Sequence, residues 1–348
     1  MYNISSIQQV GIGSANVQEV YKWYKKHLYM NVQVFNEKAD ANLMTRYTGN
    51  KVEERHAILA LNKNGGGGLE FWQFTSRSSE QISFKIKPGD LGISMLKMKV
   101  SNIQEAYVRI KELGVNVYYE IGTNIQDPSS FAFQDPFGND VQLIESSNWY
   151  NQSRKDKQGG VMGVTIGVSD MDMSIEFYKD LLNFDIVRNI HQGEFKDLDA
   201  IAGEKYQYKR VVLEHSKKKT GPFSKLLGSN EIELVQVINR KPRLIFKDRF
   251  WGDQGFIHLC FDVQGLSKLK ENCESKSCRF TVDSADSFDM GKAAGRFAYI
   301  EDPDGTLIEF VETHRIPLIP WLGWYYKLPK KMQNGLPEWI FKLMFLTS

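Results

Sequence analysis

The chain repeats itself. "QVGIGSANVQEVYKWYKKHLYMNV" begins at Gln9, and "GVTIGVSDMDMSIEFYKDLLNFDIV" begins at Gly163. At a shift of 154 residues Val10 matches Val164, Ile12 matches Ile166, Gly13 matches Gly167, Tyr24 matches Tyr178 and Leu28 matches Leu182. Each copy reads as a short alternating strand, a turn and an amphipathic helix, with Asn16 and Asp170 as the expected N-caps. A second pair of segments starts at Gly89 and Gly252, again strand then helix. Each of these runs on to an Asp-Pro-x-Gly turn and an alternating strand, "QDPFGNDVQLIE" from Gln134 and "EDPDGTLIEFVE" from Glu301. Internal repetition of this kind constrains the fold more than any local propensity. It predicts four modules, each a strand, a helix and about three further strands.

The module boundaries give an organisation. Modules one and two end near Ser147, and modules three and four begin near Val161. Between them lies the polar, Gly-terminated "NWYNQSRKDKQGG", which reads as a linker. The expected domains are therefore 1–150 and 160–315, superposable as duplicates, followed by a C-terminal arm at 316–348. Hydrophobic residues make up 42% and charged residues 25% of the 348, the profile of a soluble globular chain. The formal net charge of +2 gives no strong field for nucleic acid. Cys260, Cys273 and Cys278 form an odd set without a CxxC pattern, which suits a reducing cytoplasm. The first residues lack the basic start and apolar run of a signal peptide, and no apolar run of spanning length occurs, so the expected location is cytoplasmic and membrane attachment is not favoured.

The chemistry lies in strands that carry polar residues where a core row is expected. In "TLIEFVE", Leu307, Glu309 and Val311 share one face, so Glu309 interrupts an apolar row. Glu233 stands mid-strand in "NEIELVQV", and His258 does so in "GFIHLCFDV". A buried carboxylate is costly without a partner. Two carboxylates and an imidazole on strand interiors suit a divalent cation such as Zn²⁺, Mn²⁺, Fe²⁺ or Ni²⁺. The earlier copy has Gln142 in place of Glu309. A neutral amide costs less to bury.

Four such modules ending in "DPDGTLIEFVE" resemble the vicinal oxygen chelate superfamily, which includes glyoxalase I, extradiol dioxygenases and the bleomycin-resistance proteins. The resemblance runs over nearly all of residues 5 to 315. It implies an α+β fold of two cupped mixed sheets, each made of two paired βαβββ modules, with one metal ion in a cup. It also implies ligands on the first and last strands of modules. Carried over, these are Glu233, His258 and Glu309 in the second half, where the fourth position is Gly163, which cannot ligate. In the first half the same positions are Gln9, Glu70, Met95 and Gln142, and that half is expected to be metal-free. The implied function is a metal-dependent enzyme acting on a small substrate with adjacent oxygens, with Glu233 or Glu309 as base. The alternative is a non-enzymatic binding protein of the bleomycin-resistance kind.

Three other segments have simpler expectations. "NGGGGLE", Asn64 to Glu70, precedes a strand and reads as a hairpin loop rather than a phosphate loop. The basic "HSKKKTGPFSKLLGSN" from His215 reads as a surface loop, with a lid whose lysines face an anionic substrate as the rival. The tail is split by Pro317, Pro320, Pro329 and Pro337 and is rich in aromatics, among them Trp321, Trp324, Tyr325 and Trp339. So much apolar surface predicts an extended arm and short last helix packed on the protein itself or on a second subunit of a homodimer.

Overall fold

The computed structural model describes residues 2–153, 157–285, 288–290, 293–319, 323–329 and 333–347. The fold is α+β, with two curled mixed sheets. The first runs from edge to edge through Val282–Asp283, Ala293–Glu301, Leu307–Ile319, Gly255–Gln264, Asn3–Gly13, Gly68–Phe74, Glu54–Leu61 and Val32–Asp40. The second runs through Ile186–Gly193, Tyr208–Glu214, Glu231–Val237, Gln158–Gly167, Gly92–Val100, Asp140–Glu145, Ser130–Gln134 and Asn116–Val117.

Each sheet contains two modules, but not two neighbours in sequence. The first strand of the chain pairs antiparallel with Gly255–Gln264, so module one shares its sheet with module four. Gln158–Gly167 pairs antiparallel with Gly92–Val100, so modules two and three share the other. The expected division into sheets at 1–150 and 160–315 is corrected accordingly: each sheet crosses that boundary. Either pairing satisfies the same alternation of apolar residues, and the repeat alone does not choose between them.

Consecutive modules still touch, through their helices. Val17–His27 and Met171–Leu182 are capped by Asn16 and Asp170, whose side chains accept from the backbone of Glu19 and Met173. The hydroxyl of Tyr24 on the first helix donates to Asp135 of module two at 2.7 Å. Tyr178 on the other helix does the same to Asp302 of module four at 2.9 Å. These aspartates open the two Asp-Pro-x-Gly turns, where Asp135 also accepts from the backbone of Asn139 and Asp302 from that of Thr306. Gly138 and Gly305 there have φ of 86° and 85°, the left-handed region that glycine enters without strain. One apolar core joins both sheets and their helices, from Val10 and Tyr24 to Phe131, Tyr178 and Phe310.

The tail packs on the chain's own surface. The strand Leu307–Ile319 pairs with Trp324–Lys327, and a last helix covers Glu338–Thr347. Ile340, Phe341 and Met344 of that helix are buried with Leu226, Ile316, Leu328 and Leu336. Trp324 and Trp339 stay exposed, while Pro320 and Trp321 lie outside the described residues. Among the described residues no helix is long and apolar enough to cross a membrane.

Candidate metal centre

The pairing of modules one and four decides which polar residues meet. Gly11 is opposite His258 on one side and opposite Glu70 on the other. Cys260 is opposite Glu309 on the next strand. Period-two alternation then turns Gln9, Glu70, His258 and Glu309 to the concave face of one sheet. A Cβ on Gly11 would come within 2.5 Å of the His258 ring, so glycine there makes room for the imidazole.

Ligating atoms of Glu70, His258 and Glu309 all lie within 4.8 Å of one another, and all three residues are buried. His258 Nε2 is 3.1 Å from Glu309 Oε2 and 3.4 Å from Glu70 Oε2. Despite these distances, His258 Nε2 and Glu309 Oε2 have no partner of hydrogen-bond geometry among the described residues, and neither does Gln9 Oε1. Buried polar atoms are normally paired, so His258 Nε2 and Glu309 Oε2, unpaired and 3.1 Å apart, fit a cation between them. Gln9 Nε2 donates to Glu70 at 3.1 Å. The two ends of an amide are nearly the same shape, so Gln9 offers either a donor to a carboxylate or an oxygen to a cation.

Electrostatics agree with this geometry. Burial alone would lower the His258 pKa, but the facing carboxylates of Glu309 and Glu70 raise it to about 9. Burial would raise the Glu70 pKa, and His258 reverses that and holds it down. Without a metal the imidazolium is the only cation among the three. Trp251 stacks near the imidazole, at 6.5 Å between centroids and 17° between planes, and Tyr299 meets it edge-on at 5.7 Å. These rings keep water from the imidazole and fix its plane.

Of the residues predicted from the sequence, His258 and Glu309 are brought together and Glu233 is not. Glu233 is in the other sheet, opposite Thr165, at the place that Glu70 has opposite Gly11. Its carboxylate is bound by the Arg210 guanidinium, by Lys97 Nζ at 3.0 Å and by the Thr165 hydroxyl at 2.8 Å. Burial works against its charge, but Arg210 and Lys97 hold Glu233 well below the usual carboxylate range. The second cup is therefore filled by side-chain cations. Lys97 is opposite Gln142 as Cys260 is opposite Glu309, and it also reaches Glu231 at 2.7 Å. Gln142 donates to Ser130 at 3.0 Å, and Met95 stands opposite Thr165 as His258 does opposite Gly11. Glu70, assigned from the sequence to a half expected to be metal-free, instead lies beside His258 and Glu309 of module four. The signal was in the sequence: Gln9 and Glu70 stand at the same module positions as Gly163 and Glu233, on a strand pair that the fold sets beside His258.

A cavity of about 350 Å³ opens over Glu70 and Glu309. It is lined near them by Trp72, Arg55, Trp251 and Tyr299, and farther off by residues of the tail. From "HSKKKTGPFSKLLGSN" it takes Phe223, Leu226 and Leu227 and none of the lysines, so the lid with lysines facing inward does not describe this segment.

Comparisons with known proteins agree with this architecture. The chain resembles maize (Zea mays) glyoxalase I at 13% identity over 90% of this chain and 92% of that one, with a TM-score of 0.53. It resembles a valine-to-glutamate mutant of that enzyme at 13% identity and a TM-score of 0.54 over 90% and 92% of the two chains. A dioxygenase candidate from Bacillus subtilis matches at 12% identity over 89% and 86%, with a TM-score of 0.54. At these identities the likeness is one of fold. A search of curated protein sequences found no match. The family description "Glyoxalase/Bleomycin resistance protein/Dioxygenase superfamily" matches residues 6–143 and 161–310, and the chain belongs to that superfamily.

Proposed function

We propose that the chain is a metal-dependent enzyme of this superfamily, acting on a small molecule with two adjacent oxygens. Glu70, His258 and Glu309 would hold one divalent cation, with Gln9 as a fourth donor. The observation that supports this reading is the convergence of His258 with the carboxylates of Glu70 and Glu309, where His258 Nε2 and Glu309 Oε2 are left without hydrogen bonds and both carboxylates border a cavity. One imidazole and oxygen donors suit Zn²⁺, Mn²⁺, Fe²⁺ or Ni²⁺. When bound, such an ion supplies Lewis acidity and stabilises negative charge on a coordinated oxygen.

The chain's own residues supply the rest. Glu309 is the better placed base, because Glu70 Oε2 is engaged by Gln9. Glu309 accepts a proton from the substrate carbon beside the oxygens and returns it to a neighbouring atom. Tyr299, Trp72 and Trp251 exclude water from that transfer. Glu233, committed to Arg210 and Lys97, takes no part. Gly163, the position that cannot ligate, belongs to the other sheet and does not bear on this site.

Metal analysis of the purified protein tests the reading. About one divalent ion per chain is expected, and His258→Ala should lose most of it while keeping its fold. Equal metal in the wild type and His258→Ala refutes the assignment. A second measurement, exchange of a substrate-like hydroxyketone C–H with solvent deuterium, should be lost in Glu309→Gln even with the metal supplied in excess.

A further inference from the structure

The cavity over the metal centre has two unlike ends. Along the strand Glu54–Leu61, Arg55, Leu59 and Leu61 face it in turn. Leu59 lies opposite Glu70, Arg55 lies toward the Trp72 end, and Leu61 lies toward the tail. Across the sheet, with three strands between, the strand Leu307–Ile319 presents Glu309, then Val311 and Thr313, then Ile316. The far wall is Met344 of the last helix, with Leu226 of the short helix Ser224–Leu227. Arg296 is the one charged lining residue level with this end, opposite Glu312, and its guanidinium is held by Asp283 at 2.8 and 3.0 Å. Among the described lining residues, no other charge faces the tail end of the cavity.

An apolar pocket continuous with a polar centre selects a ligand of the same build. About 350 Å³ is space for roughly ten water molecules, more than a metal and its hydration need. We propose that the substrate carries an uncharged, apolar, alkyl-like body on its adjacent oxygens, and that the C-terminal arm forms the wall against which this body packs. This rests on the metal reading above and adds the substrate class to it. It makes the arm part of the binding site through Ile316 and Met344, rather than an appendage to the fold.

The test uses straight-chain alkyl hydroxamates, whose two adjacent oxygens chelate metal, from acetohydroxamate to octanohydroxamate. They are titrated by calorimetry into the metal-loaded full-length protein. Affinity should rise about fourfold per methylene over the shorter members, then level off as the chain meets the wall. Met344→Trp should bring the plateau to shorter chains, and Met344→Asp should flatten the rise. If acetohydroxamate fails to bind the metal-loaded protein, the metal reading itself falls. If acetohydroxamate binds but the series is flat, only the apolar-substrate inference is overturned. A rise unchanged in folded Met344→Trp removes the arm from the pocket. The wild-type series decides the substrate class even if Met344→Asp does not fold.

Discussion

Replacing Lys97 with Met should destabilise the protein without changing any metal held at the proposed His258 site. Lys97 Nζ is fully buried, 2.7 Å from Glu231 and 3.0 Å from Glu233, with Asp127 at 3.7 Å. Met fills similar volume and removes the charge. Taking one partner from a buried ion pair costs about 3–5 kcal/mol, because the other charge stays in a low dielectric. Arg210 still neutralises Glu233, and Arg188 still reaches Glu231 at 3.1 Å, so the low end, about 3 kcal/mol, is expected. Most of it falls on Glu231, whose pKa burial already raises despite Lys97. Without Lys97 it rises further. A carboxylate whose folded pKa lies above its unfolded value contributes stability at low pH and loses it as pH rises through the folded value. The deficit should therefore be smaller at pH 5 than at pH 8. Urea unfolding of the wild type, Lys97→Met, Glu231→Gln and the double variant measures it. The double variant should be more stable than the sum of the single effects by about 1 kcal/mol or more. A Lys97→Met cost below about 1 kcal/mol, typical of an exposed pair, or strict additivity, would refute the idea that this lysine takes the place of a cation in the second cup.

Metal affinity should depend on pH through His258. Its pKa of about 9 in the metal-free protein means that binding displaces a proton, so apparent affinity should rise about tenfold per pH unit from 7 toward 9 and then level off. In the metal-free protein the same raised pKa gives stability that is full below the ordinary value near 6.5 and lost as pH rises through 9; metal-free urea midpoints that do not fall over this range contradict it. Gly11→Ala should lower both metal content and stability, by about 1–3 kcal/mol, since its Cβ would sit 2.5 Å from the His258 ring; full metal occupancy in that variant would show that the ring has room. Truncation after Ile316 removes the helix that covers Leu226 and Leu61, and should cause aggregation detectable by light scattering; a truncated chain as soluble as the whole would count against the packed arm.

The sequence made the modules legible because repetition is local: matched strands, capped helices and Asp-Pro-x-Gly turns are each specified within about ten residues. His258 and Glu309 were legible for a similar reason, since each breaks the apolar row of its own strand. Which module pairs with which was not, because the first strands of modules two and four offer Asn3–Gly13 the same alternating edge. Glu233 was misassigned through that ambiguity, as the chemistry of a carboxylate is the same whether it faces a metal or Arg210 and Lys97. Lys97 was the overlooked signal. A lysine within "GISMLKMKV", inside a buried strand, needs anions around it, and Glu233 was among the candidates to supply them.

Joining the first module to the last also sets an order of assembly. On a ribosome the middle sheet has all its strands once module three has emerged, whereas Gln9 and Glu70 wait for His258 and Glu309. The wait from Glu70 to His258 is roughly 190 residues, or about 10–40 s at ordinary rates of synthesis. During it the Asn3–Gly13 strand has an open edge, a template for wrong pairing with other nascent chains. The contacts that close it are the most distant in the sequence and are expected to form slowly. Metal capture would then come at the end of synthesis, as a chemical report that the last module has arrived.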